Sequence, residues 1–479
     1  MYLATAYVCG SFGLFLSIFM LIPMMADLLV GNDDWQSFLA AFVFVGTAGV
    51  LLIAATRREI PPFSLRFGFL LVNGVWATGS LVGAVPLLLS AEGLSFTDAM
   101  FESVSGLTAT GGTILSGLDA MPPGILLWRS LMQWFGGLGI IAMGLLLLPF
   151  LRVGGMHIYR MESSLQTDNP FSRFGEFSGA LVSLYVGLTL ACILAYVATG
   201  MSLFDAVNHA MTTISTGGFS THDASMGAYG NATLLVSTVF MIAGALPFIA
   251  LLKAAVTGNP KDAFELQIPV LLSILAVLSL VVALSAIAHT DDAALDMFVA
   301  AAFNITSIVT TTGFASQDYT LWGPLAVSIF LLATFLGGAA GSTSGGIKTY
   351  RLIILFQSFR SALKELVYPH GIFTVRYGDV EVSSYTIRSV ALFTAAFLGL
   401  LLFSTIALSA TGLDLLTSFT GALTALTNVG PGLGDIIGPA GNFSSLSDAA
   451  KWIMIIAMLL GRLEILTVLV LISPTFWGR

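Results

Sequence analysis

Ten stretches of this 479-residue chain run for about 20 residues or more with almost no charge. Such a stretch is a candidate membrane helix, because the hydrocarbon core is ~30 Å thick and a helix rises about 1.5 Å per residue. The runs fall at roughly 3–26, 36–56, 66–90, 124–151, 175–199, 231–257, 267–289, 323–356, 384–410 and 448–472. Only 9% of the residues are Asp, Glu, Lys or Arg, against ~25% in a soluble domain. So few charges cannot clothe a water-soluble surface of this size. The composition therefore excludes a soluble enzyme and a disordered chain. Its net charge of -8 excludes a nucleic-acid binder, whose footprint is basic. Cys9 and Cys192 both lie inside apolar runs, so no disulfide framework or Cys-based zinc site is available. The five histidines have no metal-ligand spacing, and no G-x-S-x-G or H-E-x-x-H motif occurs. The chain reads as an all-α integral membrane protein and not as an enzyme. The first run lacks a basic leader and a cleavage site, and reads as a retained helix.

The charges test the span list, since cytoplasmic loops collect Lys and Arg. Alternate loops hold Arg57, Arg58 and Arg66; Arg152, Arg160 and Arg173; Lys253 and Lys261; and Lys348, Arg351, Arg360, Lys364, Arg376 and Arg388. That is 14 of the 18 basic residues. The other loops are acidic, with Asp27, Asp33 and Asp34; Glu92, Asp98, Glu102 and Asp119; Asp205 and Asp223; Asp291, Asp292, Asp296 and Asp318; and Asp414, Asp435 and Asp448. The alternation predicts ten spans with both termini cytoplasmic. The acidic outer face suits a cation-collecting surface, although ordinary solvated loop charge accounts for each residue equally well.

The outer loops after spans 3, 5, 7 and 9 are alike. They read SFTDAMFESVSGLTATGGT, SLFDAVNHAMTTISTGGFS, LDMFVAAAFNITSIVTTTGFAS and LDLLTSFTGALTALTNVGPGLG. Each is an acidic, partly apolar stretch long enough for a short helix, followed by a Thr/Gly cluster. Aligned on one glycine each, the repeats register at Gly111, Gly217, Gly313 and Gly430. The unit is helix, short helix, Thr/Gly loop, helix, present four times after two extra N-terminal spans. The expected division is two helices over 1–60 and pore repeats over 61–155, 156–262, 263–375 and 376–479. A helix of about 12 residues cannot cross the bilayer, but can enter and return. Irregular backbone survives at that depth only when buried in protein or lining water. Glycine lets successive carbonyls face an axis, and rings of carbonyls replace a monovalent cation's hydration shell. Four short helices would also aim their negative C-terminal ends at that axis, which favours cations.

These repeats, with the strings TATGG, STGGFS, TTTGF and NVGPGLG, resemble the TrkH/TrkG/KtrB superfamily of potassium transporters. The two extra N-terminal spans make the TrkH branch the nearer match. The resemblance covers essentially the whole chain. It implies a pseudo-fourfold arrangement in which Ala109, Thr110 and Gly111, Ser215, Thr216 and Gly217, Thr311, Thr312 and Gly313, and Asn428, Val429 and Gly430 form a potassium-binding selectivity filter. It implies no bound cofactor and no metal other than potassium at those residues. Glycine at all four aligned positions favours potassium over sodium in this family. It further implies a bacterial inner-membrane homodimer and a cytosolic, TrkA-like ring of nucleotide-binding RCK subunits. The chain has no dinucleotide fingerprint of its own, so nucleotide control would come only through that partner. The stretch from Gln357 to Arg388, a short basic helix and a hairpin-like run, is the docking candidate or a plain connector.

Span 8 carries GGAAGSTSGGIK from Gly337 to Lys348. Glycine weakens a helix by ~1 kcal/mol each, so a break is expected. A phosphate-binding loop does not fit, because Ile347 separates Gly346 from Lys348 and the preceding run is a membrane helix. A close-packing glycine surface and an unwound loop both remain open. The resemblance implies the second: a pore-obstructing gate comprising Gly337, Gly338, Gly341, Ser342, Thr343, Ser344, Gly345 and Gly346. Arg462 lies in span 10, where a charge is costly and a functional candidate. It is read either as a contact to backbone carbonyls or, by resemblance, as a barrier beside the loop. Glu464 stands two residues away and cannot face it on one helix. The rival functional class is a secondary transporter coupling sodium or protons to uptake. Such proteins carry broken helices and inverted repeats, whereas these four units share one orientation.

Overall fold

The computed structural model describes residues 1–57, 64–151, 174–259, 261 and 264–478, with side chains omitted at 144–151 and 174–177. Arg58, Arg152, His157, Arg160, Arg173 and the expected repeat boundaries at 60, 155 and 262 lie outside the described residues. Two N-terminal hydrophobic units come first. Helices α1 (Tyr2–Phe19) and α2 (Leu21–Val30) form one apolar span, and α3 (Trp35–Thr56) packs back on it. Gly10 and Gly49 let α1 and α3 approach closely, since a methyl on Gly49 would lie 3.0 Å from the Gly10 carbonyl.

Four groups of helices follow, each named by the repeat of the sequence in which it lies. Repeat 1 is α4 (Leu65–Leu89), the short α5 (Phe96–Leu107) and α6 (Pro123–Leu151). Repeat 2 is α7 (Phe174–Ala198), the short α8 (Leu203–Ile214), α9 (Asn231–Ala245) and α10 (Phe248–Thr257). Repeat 3 is α11 (Gln267–His289), the short α12 (Ala294–Val309), α13 (Pro324–Ala333) and α14 (Thr349–Val367). Repeat 4 is α15 (Ser384–Ser409), the short α16 (Leu415–Thr427), α17 (Asp448–Arg462) and α18 (Leu466–Ile472), with a last turn α19 (Pro474–Trp477).

The expectation of ten full spans needs correction. Among the described residues seven helical units are long and apolar enough to cross a membrane. Two further spans are bent pairs, α9/α10 by 100° and α17/α18 by 113°. The tenth, span 8, is interrupted as its glycines predict. Its break holds a short parallel pair, β1 (Leu336–Gly337) with β2 (Ile347–Lys348). The bend at Leu246–Pro247 follows from proline's missing N–H and its clash with the preceding turn. That at Glu464 shows a left-handed φ of +59°.

A side-chain cap sets the start of three of the four short helices; α12 follows Ala293 without one. Ser95 and Ser202 cap α5 and α8, each accepting a hydrogen bond from the amide of Asp98 or Asp205 at 3.1 Å. Asp414 caps α16 through the Thr417 amide at 3.1 Å. Such caps contribute ~1 kcal/mol. The N-terminal unit braces repeat 1 in the same way: buried Asp27 accepts from the Gly124 amide at the start of α6, at 2.6 Å. On the opposite side, the hairpin-like run expected within 357–388 is an antiparallel pair, β3 (Arg376–Tyr377) with β4 (Val380–Glu381).

Candidate functional site

Each short helix ends in the same backbone motif. In repeat 1 the Thr110 amide donates to the Ser105 carbonyl at 2.9 Å and the Ala109 amide to Gly106 at 2.9 Å. The same pairs recur for Gly217 and Thr216, and for Thr312 and Thr311; in repeat 4 the Val429 amide donates to Thr424. This is the helix-ending motif that places one residue in the left-handed region, usually glycine. Here that residue is Ala109, Thr216, Thr311 or Asn428, with φ between +50° and +58°. Two residues later a glycine is left-handed: Gly111, Gly218, Gly313 and Gly430. Left-handed backbone costs ~1–2 kcal/mol at a non-glycine residue, and strain of this kind gathers at functional sites.

The motif corrects the register of repeat 2. Gly218, not Gly217, is the counterpart of Gly111, Gly313 and Gly430. Gly217 stands where the others have Thr110, Thr312 and Val429, and Ser215 where they have Thr108, Thr310 and Thr427. The adjacent glycines 217 and 218 hide this slip from composition, although matching Phe219 with Phe314 would have revealed it.

In this register the four segments close a ring. A methyl on Gly111 would overlap the Gly217 carbonyl, one on Gly218 the Thr312 carbonyl, and one on Gly313 the Val429 carbonyl. A methyl on Gly430 would lie 2.7 Å from the Thr110 carbonyl, completing the circuit. Every contact joins one repeat to the next. All twelve predicted filter residues lie in these four segments; ten are buried, and Gly111 and Gly313 are partly exposed. Two contacts are local additions. Gln133 of α6 donates to the Gly217 carbonyl at 2.6 Å and accepts from the Phe219 amide at 3.0 Å. Asn428 donates to Thr110 Oγ1 at 3.0 Å, which ties the first and fourth segments.

On the outer side the ring opens into a cavity of about 280 Å³. The acidic vestibule expected from the loops is not what lines it: its walls are mainly Gly, Ser, Thr and Pro, with Asp223 as the one acidic residue among the described residues, and Arg129 and His222 also on the lining. Much of the outer acid is structural. Glu102 is buried in an ion pair with Arg129 at 2.7 Å and accepts from Thr113 and the Ile114 amide. Asp119 and His222 are paired across repeats 1 and 2, and the Asp223 carboxylate accepts from the Gly117 amide at 2.9 Å. The hydrogen bond to His222 holds the Asp119 carboxyl below the usual carboxylate range. The Thr417 hydroxyl and amide do the same for Asp414. Burial pushes Asp98 and Asp205 up, but Lys451 and Ser95 outweigh this at Asp98, and Thr221 and Ser202 at Asp205, so both are held low.

The inner side differs. The loop 337–346 lies against the inward ends of the short helices. The Gly346 amide donates to the Thr427 carbonyl at 2.8 Å, and the Gly345 amide to Thr311 Oγ1 at 2.6 Å. Thr343 Oγ1 donates to the carbonyls of Ile214 (3.0 Å) and Gly244 (2.9 Å). Gly341 and Ala339 bond to the bend of repeat 2, through the Phe248 amide and the Ala245 carbonyl. Gly337 and Gly338 pack on Gly345 and Ser344 within the loop, and the Ser342 hydroxyl donates to the Ala339 carbonyl at 2.6 Å. Arg462 completes the arrangement, donating to the Thr343 carbonyl at 2.8 Å and to Gly136 at 3.3 Å. Arg462 thus binds backbone carbonyls, one of the two sequence readings, and one of those carbonyls belongs to the loop. Glu464 pairs with Arg351 of α14, a partner 113 residues away that helix spacing could not suggest.

A second repeat went unread in the sequence. Gly136, Gly244 and Gly461 each press on the last carbonyls of the short helix in their own repeat, at Leu107, Ile214 and Leu426. Gly337 of FLGG matches Gly136 of FGG in the third repeat. Arg462 thus occupies the place of Gly137, Ala245 and Gly338.

The family model described as "TrkH: Cation transport protein" matches residues 35–478. The Trk system potassium uptake protein TrkI of Halomonas elongata is 41% identical over 471 residues, covering 97% of this chain and 95% of that protein. The Trk system potassium uptake protein TrkH of Salmonella typhimurium is 38% identical over 468 residues, covering 96% and 95%. The crystal structure of the potassium transporter TrkH from Vibrio parahaemolyticus superposes with a TM-score of 0.92 at 34% identity, covering 100% of both chains.

Proposed function

The chain belongs to the TrkH family of cation transport proteins, and on that premise we propose that it takes up potassium across the bacterial inner membrane through the four Thr/Gly segments. The observation that carries this reading is the ring in which Gly111, Gly218, Gly313 and Gly430 each abut a carbonyl of the next repeat. Backbone oxygens arranged this way replace water around a dehydrated monovalent cation. The uncharged segments hold the ion by dipoles, and the inward C-terminal ends of α5, α8, α12 and α16 add negative potential. The potassium sites are the carbonyls of Ala109 to Gly111, Thr216 to Gly218, Thr311 to Gly313 and Asn428 to Gly430.

The loop 337–346 with Arg462 is the gate. Its hydrogen bonds to the inward ends of α8 and α16 and to both bends support a closed state. Arg462 adds a positive charge in the ion's path, which repels a cation leaving the filter. Opening requires these bonds to be exchanged for others. The signal comes through α14 and the β3–β4 hairpin from a cytosolic RCK ring, on a homodimer whose termini face the cytoplasm.

Flux from purified proteoliposomes under defined K⁺, Na⁺ and pH gradients tests the reading. A current that reverses at the potassium equilibrium potential, with weak sodium permeation, supports a channel-like path. A reversal potential that moves with the sodium or proton gradient at fixed stoichiometry supports the coupled transporter instead.

A further inference from the structure

Directly inside the loop lies a cavity of about 70 Å³. Its charged lining is Lys348, Arg351, Arg462 and Glu464. Glu464 is taken by Arg351. Lys348 and Arg462 are left with backbone carbonyls as their only hydrogen-bond acceptors among the described residues: Ser344 for the lysine, Thr343 and Gly136 for the arginine. Three cations against one carboxylate leave a surplus of two positive charges in a buried place, beneath a filter built to attract cations. Two polar atoms on the lining have no partner at all among the described residues, Arg462 Nε and Ser344 Oγ. Both residues are at least 97% buried, being 3% and 2% exposed. Lys348 has three ammonium hydrogens, of which the carbonyl of Ser344 uses one.

Buried charge is tolerated when paired, and buried donors when accepted. The cavity offers a guanidinium N–H, ammonium hydrogens and a hydroxyl, with no carboxylate free to take them. Its volume suits a monatomic ion with a few waters, not a nucleotide or a lipid headgroup. We propose that the closed gate holds a small monovalent anion here, chloride by size and abundance, bound by Arg462, Lys348 and Ser344. The anion halves the surplus, from two positive charges to one, and ties the loop, through Ser344, to Arg462 of repeat 4. An ion bound only in the closed arrangement favours that arrangement by linkage. Cytoplasmic chloride therefore slows transport. This last consequence rests on the loop being a gate, whereas the site itself does not.

The binding test uses the full purified chain in detergent, with gluconate replaced by chloride or bromide at constant potassium and ionic strength. The expected result is a saturable rise in unfolding temperature of roughly 2 °C or more with either halide, lost in Ser344→Ala and in Lys348→Gln. Crystals soaked in bromide should show an anomalous peak between Arg462 and Ser344. No halide-specific rise together with no peak means that the cavity holds water only, and overturns the site. A peak with no saturable rise means an adventitious ion only, and overturns it equally. The gating consequence is read separately. Proteoliposomes with gluconate in place of chloride on the cytoplasmic face should pass potassium at least roughly twofold faster, and Ser344→Ala should remove the difference. Halide binding with unchanged flux overturns the gating consequence alone; absence of any potassium flux under all anions overturns the functional reading instead.

Discussion

The second helices of repeats 1 and 3 start alike and end differently. Helix α6 begins at Pro123 and runs unbroken to Leu151, whereas α13 begins at Pro324 and stops at Ala333. Both carry a Gly-Gly pair at the same point, Gly136–Gly137 and Gly337–Gly338. In α6 the pair lets the helix press on the Leu107 carbonyl and the Ser215 backbone. In repeat 3 the small residues continue to Gly346, so no side chains hold a helix together and the backbone turns to other partners. Those partners are the carbonyls and hydroxyls of repeats 2 and 4. The lesson is that one break is not self-contained. Amides freed in repeat 3 bond at the bend of repeat 2, and the carbonyl of Thr343 is met by Arg462 at the bend of repeat 4. Irregular backbone at membrane depth is tolerated because each break satisfies another.

The largest expected effect asks whether repeats 1 and 3 are equal at the ring of glycines. Gly111→Ala and Gly313→Ala should each abolish potassium flux, at least roughly tenfold, since both residues are left-handed and abut a carbonyl. Unequal losses in proteoliposomes would break the fourfold reading. The register correction sharpens it: Gly218→Ala should be as severe, while Gly217→Ala, whose nearest neighbour is the end of the Gln133 side chain and not backbone, should retain more flux.

Next come the changes that should separate the two helices. Removing part of 337–346, or replacing Arg462 with Ala, should raise cation flux roughly several-fold by removing the barrier, at unchanged protein level. Equal or lower flux would show that the break in repeat 3 is a packing feature and not a gate. A smaller effect is expected for Glu464→Gln. It leaves the buried Arg351 without its carboxylate, and the Glu464 side chain is partly exposed, so about 1–3 kcal/mol of stability should be lost. Thermal unfolding in detergent measures this, and an Arg351→Met, Glu464→Leu double variant should recover part of it.

The smallest effect is at the outer mouth. Asp98, Asp119, Asp205 and Asp414 are held below the usual carboxylate range. A lowered carboxyl stabilises the fold above its unfolded value and loses that contribution only as pH falls through its folded value. Titrating these four from about pH 7 to about pH 5 should therefore change neither stability nor the charge of the outer face, with losses only below about pH 4. Asp119→Asn removes one such contact, and should lower stability slightly at about pH 7 but not once the pH has fallen below the folded value of that carboxyl.

The sequence showed most of the fold because a bilayer enforces simple rules. Span length, loop charge and four Thr/Gly clusters are local features, and the motif SFTD or SLFD caps its short helix by neighbours three residues apart. What went unread had non-local or ambiguous causes. Pro247 was visible, yet its 100° bend matters only because the loop of repeat 3 bonds there. The outer carboxylates looked like a cation-collecting rim, but Asp27 and Glu102 are consumed by a helix start and an arginine. The glycine pair at 217 and 218 allows two registers; hydrogen bonding chooses between them, in agreement with the match of Phe219 to Phe314.

By itself the sequence determined the membrane class, the four repeats and the family, because apolar length, alternating loop charge and repeated motifs are properties of the chain read in order. Tertiary structure alone decided that the four segments close a ring, what Arg462 and Glu464 hold, and that three cations surround one cavity beneath that ring. Those depend on which distant backbone groups meet, and a buried charge or amide is defined by the partners that folding brings to it.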